Sequence, residues 1–139
     1  MRAVAGLSAA LLVSACGTLQ APDWVTNRLP LEPCGTEAVV PDVQARTCLF
    51  DAYRAGRGAE LITNESTIEG DPWTTYRRVH ENGTVEMFID ATQDRFGSGE
   101  WERYRCEELI SVAEANAANW GYPGDAVFVE QGCEPLPIP

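Results

Sequence analysis

From Pro41-Asp42 onward, apolar positions recur with helical spacing: Ala45, Cys48, Leu49, Ala52 and Tyr53 fall at i, i+3, i+4, i+7 and i+8, and Gly56 and Gly58 end the run. The pattern predicts a helix over residues 43–56 with this stripe against a core. Phe50 falls on the other side between Arg46 and Arg54, as a second packing contact or an exposed aromatic. The period then shortens. Residues 60–69, 73–80 and 84–90 are rich in Thr, Ile, Val and aromatics and are punctuated by Gly70-Asp71-Pro72 and Asn82-Gly83, which predicts three strands.

The second hairpin has an arguable register. A two-residue Asn82-Gly83 loop would set Val79 opposite Glu86 and Arg78 opposite Met87, mixing unlike side chains on each face. A three-residue Glu81-Asn82-Gly83 loop, with Gly83 left-handed, pairs Val79 with Val85, Arg78 with Glu86 and Tyr76 with Phe88. Only the second gives consistent faces. It sends Trp73, Val79, Val85, Met87 and Ile89 to a core side, with Arg77 as the misfit, and Tyr76 and Phe88 to the other.

Residues 100–106 read as a further strand. Leu109, Val112, Ala113, Asn116, Ala117 and Trp120 then lie at helical spacing before Gly121, predicting a helix over 108–120, and 125–130 reads as a short last strand. The expected fold class is α+β, in two layers: helices packed on a mainly antiparallel sheet.

The N-terminus has a different character. Met1-Arg2 precedes an apolar run, Ala3 to Val13, too short at about 1.5 Å per helical residue to span a hydrocarbon core of ~30 Å. It reads as the apolar region of an export signal whose positive part is Arg2 alone. The next residues, Leu12-Val13-Ser14-Ala15-Cys16, resemble the lipobox of bacterial lipoproteins. That resemblance implies a signal peptide over 1–15, cleavage before Cys16, and diacylglycerol on the Cys16 sulfur as the link to the membrane. It further implies export to the cell envelope. Gly17, standing where an inner-membrane retention Asp would be, implies outer-membrane sorting wherever an outer membrane exists. Residues 16–33, with Pro22, Pro30 and Pro33 and no period, read as a tether from which Trp24 and Leu29 could dock, leaving 34–139 as the domain. Beyond the signal, the Cys-bearing helix and Asp90-x-Thr92-x-Asp94-x-Phe96-Gly97 resemble uncharacterised small exported lipoproteins, which implies no activity.

Four further cysteines, Cys34, Cys48, Cys106 and Cys133, read in an exported chain as two disulfides with three possible pairings. Cys34 with Cys48 and Cys106 with Cys133 is favoured, since each would tie a flanking segment to a regular element close in sequence. Each is worth about 3 kcal/mol in the chain-entropy picture. The absence of any CxxC pair argues against a zinc site.

Charge narrows the functions. The 139 residues carry 21 acidic groups against ten basic ones, all Arg, for a net charge of -11; without Arg2 and the rest of the signal it is -12. A balance this acidic speaks against nucleic-acid phosphates as partners. The single His80 removes most triads and needs a nearby nucleophile to act as a base; Ser66, Ser98 and Ser111 sit in no nucleophile elbow. Asp90, Thr92 and Asp94 resemble the opening of a calcium loop. Arg95 and Trp101 break the pattern, so turn formation is the stronger reading. Glu100, Glu102, Glu107 and Glu108 interleave with Arg103 and Arg105 as on a solvated strand. Asn64-Glu65-Ser66 and Asn82-Gly83-Thr84 match a glycosylation pattern with no role in a bacterial lipoprotein. No phosphate-cradling Gly loop occurs and no cofactor is implied.

Tyr76 and Phe88, flanked by Arg78 and Glu86, form the candidate binding surface, unless the tether or the C-terminal tail (Trp24 or Leu136) covers them as a second core layer. The leading expectation is a membrane-anchored, non-catalytic module of unknown ligand that binds a protein or another envelope component. The alternatives are an inhibitor of an exported hydrolase, a carboxylate hydrolase using Asp90, Asp94 or Glu102, and a spacer if Tyr76 and Phe88 are buried beneath the tether.

Overall fold

The computed structural model of the chain describes residues 20–139. The expected signal segment, residues 1–15, and Cys16 lie outside them. The elements in chain order are α1 (Asp23–Thr26), β1 (Glu32–Glu37), α2 (Val43–Arg54), β2 (Ala59–Ser66), β3 (Pro72–Val79), β4 (Val85–Asp90), β5 (Trp101–Cys106), β6 (Glu108–Ser111), α3 (Val112–Ala117), a 3-10 turn (Gly124–Ala126), β7 (Phe128–Gln131) and β8 (Glu134–Pro135). Six strands form one sheet in the order β1-β2-β3-β4-β5-β8, and β6-β7 is a separate ribbon. Only β1 and β2 are parallel, joined by α2 as a crossover; all other pairs are antiparallel.

α2 begins where Asp42 caps it, its carboxylate accepting from Gln44 N at 2.9 Å and Ala45 N at 3.2 Å. It ends at Gly56, whose φ of 63° suits the left-handed position after a helix. Ala45, Leu49 and Ala52 of the predicted stripe are buried, and join Ala59, Leu61, Val79, Val85, Cys106, Leu109 and Phe128 in one core. Phe50 is a packing contact, stacked on Phe128 and Tyr53. The hairpin register is the three-residue-loop one, Val79 with Val85, Arg78 with Glu86 and Tyr76 with Phe88. The misfit Arg77 is accommodated by Glu130 Oε1 at 2.6 Å and by the Thr63 hydroxyl.

The disulfides are Cys34–Cys48 and Cys106–Cys133. The first ties β1 to the crossover helix. The second ties the end of β5 to the segment after β7, so that Glu107 N donates to Gln131 O and residues 108–111 run beside 128–131 as a ribbon.

Three expectations are corrected. Helix 108–120 is a strand followed by a six-residue helix: Leu109 and Val129 pack as strand residues, and Ser111 and Glu114 form a capping box that starts α3 at Val112. The strand expected over 125–130 starts at Phe128, after the 3-10 turn, and is followed by a two-residue strand, β8; Trp120 is exposed. Residues 20–33 do not behave as a free tether: α1 and the start of β1 belong to the fold, with Val25 1% exposed. The architecture is therefore mostly antiparallel sheet with few helices, and α2 alone supplies a helical layer of substantial length.

Candidate functional site

Alternation along the strands puts Glu60, Arg78 and Glu86 side by side on the sheet face away from α2, with Ile62, Tyr76, Phe88 and Arg103 on the next rung and Trp101 at the top. The segment after Gln20 crosses this face diagonally. Trp24 stands edge-on to Phe88 at 5.0 Å and to Trp101 at 6.0 Å between ring centres. Four residues later Arg28 grips both oxygens of Glu60, each at 2.7 Å, with its guanidinium 4.8 Å from the Tyr76 ring centre. Arg78 donates to the Leu29 carbonyl, and Leu31 reaches Gly58 just before the start of β2.

This makes a charge chain. Arg28 and Arg78 flank Glu60; Arg78 Nε lies 2.9 Å from Glu60 Oε2 as an ion pair without hydrogen-bond alignment. Glu86 accepts from Arg103 at 2.9 Å and sits 2.9 Å from His80 Nε2. Burial opposes ionisation of both glutamates. Their partners outweigh it, Arg28 and Arg78 for Glu60, the hydrogen bonds from Arg103 and with His80 for Glu86, and hold both below the ordinary carboxylate range. Arg78 shifts down because burial outweighs its two glutamates, and Arg28 shifts up through its hydrogen bonds to Glu60.

The four candidate surface residues are thus brought together, but under cover. Phe88 and Arg78 are each 3% exposed and Glu86 8%, with Tyr76 half-buried. The covering alternative holds, with Trp24 as the agent. Sequence reasoning missed Arg28 and Glu60. Arg28 sat in a segment read as tether, and nothing in its spacing signals a partner 32 residues away.

Open concavities lie at the margin of this layer and beyond it. A cleft of about 380 Å³ runs between Leu29, Pro30 and Leu31 on one side and His80, Glu81 and Asn82 on the other, floored by Gly58. His80 and Asn82 also line a neighbouring hollow of about 220 Å³ with Thr84, Glu86 and Arg105. A polar groove of about 400 Å³ separates Phe50, Tyr53 and Arg54 from residues 108–111 and Glu114.

The residues singled out for chemistry are engaged locally. Asp90 Oδ1 accepts from Thr92 N and Oγ1, and Asp94 Oδ1 from Phe96 N and Gly97 N, so Asp90, Thr92 and Asp94 build turns. Glu102 accepts from the Tyr104 hydroxyl at 2.9 Å, which raises the phenol's pKa. Ser111 caps α3 and Ser98 accepts from Glu100 N. Asp90, Asp94 and Glu102 line none of these three cavities. Among the described residues no three His, Cys, Asp or Glu side chains converge as a metal site. No family model, curated protein or solved structure matches the chain.

Proposed function

We propose that the chain is a lipid-anchored cell-envelope module, exported by residues 1–15, held by diacylglycerol on Cys16, and presenting a non-catalytic domain that binds an envelope protein. The observation that carries the binding reading is the Leu29–His80 cleft. It combines exposed apolar side chains with an imidazole and an amide, at the end of the sheet opposite the one where the N-terminal segment enters. Such a mixture, apolar with a few convergent polar groups, is what recognition sites use. A spacer is the second reading, favoured by the covered Tyr76 and Phe88.

The test is recovery of the protein from the membranes of its own cell after mild cross-linking, beside Cys16→Ala and Leu29→Asp; Leu29 is exposed and the change should leave the fold intact. The intact mass should carry diacylglycerol, lost in Cys16→Ala. A stoichiometric partner should fall about tenfold or more with Leu29→Asp, the equivalent of ~1.4 kcal/mol. A mass without lipid overturns the anchor. A lipidated protein that comes out alone overturns binding in favour of the spacer.

A further inference from the structure

Among the described residues, a group of exposed large apolar side chains gathers at one end of the main sheet. β1, β2 and β4 finish there and β3 and β5 begin there, so the β1–α2 loop, the β2–β3 turn and the β4–β5 loop are neighbours. Their tips carry Val39 and Val40 (71% and 77% exposed), Ile68 (102%) and Phe96 (74%), with Val43 beside the first pair. Asp71 ties two of these loops together, its carboxylate accepting from Arg95 N and Nε.

The acidic groups at this end are largely spent on the protein itself. Asp42 caps α2, Asp71 holds Arg95, and Asp90 and Asp94 close turns, leaving Glu69 and Glu100 exposed. Gly97 permits the Phe96 turn, since a Cβ there would lie 2.3 Å from an Asp94 oxygen. The tips are therefore apolar projections on internally satisfied turns.

The N-terminal segment arrives at the same end. Trp24 rests on Trp101, the residue that follows the Phe96 loop, and the chain then runs toward the other end to Leu31 and Gly58. Gln20 is four residues from Cys16, a reach of at most about 14 Å even fully extended.

We infer that this end of the domain docks on the lipid surface, with Val39, Val40, Ile68 and Phe96 dipping into the interface beside the acyl chains on Cys16. The inference rests on the lipid anchor proposed above. A short leash turns a weak apolar contact into an intramolecular one. At -12 the mature chain is repelled by anionic headgroups, so the docked surface is zwitterionic. The Leu29–His80 cleft then faces away from the membrane.

The test uses the lipidated full chain reconstituted in phosphatidylcholine vesicles containing brominated phosphatidylcholine. Phe96→Trp and Leu29→Trp, both at exposed positions, report the two ends by difference from the parent chain, and intact mass is measured on each sample. Phe96→Trp should show an added, blue-shifted emission quenched about twofold or more, and Leu29→Trp none. Adding Val40→Glu and Ile68→Glu to the Phe96→Trp chain should abolish the quenching. A lipidated sample in which both reporters respond alike, or in which the glutamates change nothing, overturns docking while leaving the anchor standing. A mass without lipid on Cys16 overturns both.

Discussion

The two faces of the main sheet are made by the same strands and differ by one residue of register, yet they are closed in opposite ways. Against α2, Leu61, Val79 and Val85 meet Leu49 and Ala52 in a mainly aliphatic core, with Phe50 and Phe128 stacked beside it and Arg77, held by Glu130, as the charged exception among the strand residues. On the other face the same strands present Glu60, Arg78, Glu86 and Phe88, closed by Trp24, Val25 and Arg28. The aliphatic face draws mainly on buried apolar area. The charged face needs every partner present, because taking ions from water is costly unless they are paired. It also leaves the indole N–H groups of Trp24 and Trp101 without a protein acceptor. Arginine suits such a layer, as its flat guanidinium pairs with carboxylates and lies over the Phe88 and Tyr76 rings.

The largest effect should come from Arg78→Met. It leaves Glu60 with Arg28 alone, Glu86 with Arg103 and His80, and the Leu29 carbonyl without its donor, and a loss of about 3–5 kcal/mol is expected near neutral pH. The loss should shrink on acidification as those glutamates take protons, which denaturant titrations at two pH values will read. Leu61→Ala on the aliphatic face should cost about 2–5 kcal/mol through transfer and cavity terms. That cost should stay the same across the same pH range; a pH-dependent loss would erase the distinction between the faces.

Acid should act on the charged face of the native protein as well. The folded state holds Glu60 and Glu86 below their ordinary value of 4.5, so their contribution is full above that pH and is lost as pH falls through the lowered values. Melting temperature should decline over that acid window, and Glu60→Gln should flatten the decline. The smallest effect belongs to the ribbon outside both faces: Ser111→Ala removes the cap of α3 and should cost about 1 kcal/mol. Thermal unfolding will measure it.

Much of this was legible where local rules act alone. The stripe from Ala45 to Ala52, the Asp42 start and the glycine stop located α2. Face consistency alone selected the register around Gly83, and chain proximity favoured the two disulfide pairings. The failures came where distant residues decide. Ala-rich spacing after Leu109 suggested one helix, while the Cys106–Cys133 link held residues 108–111 against 128–131 as a strand. Ser111-x-x-Glu114 is a capping-box signature and could have marked the true helix start. Prolines at 22, 30 and 33 read as a tether because their order comes from contacts with β2 and β3 that no local pattern records. For the same reason Tyr76, Phe88, Arg78 and Glu86 were gathered correctly on one face, but their cover was left open between two outcomes. The Leu29–His80 cleft joins a presumed linker to a hairpin turn 51 residues on and had no sequence signal.

Residues 22–31 are the lid of the charged face, and so part of the fold. Native-state hydrogen exchange on residues 22–31 tests this most directly. Asn27 N bonds Asp23 O at 2.8 Å and Arg28 N bonds Val25 O at 3.4 Å. Both amides should be protected well above unstructured-chain rates and lose protection together in Arg78→Met. Exchange of both at the rate of an open chain, with β3 and β4 still protected, would contradict the account and return these residues to a simple tether.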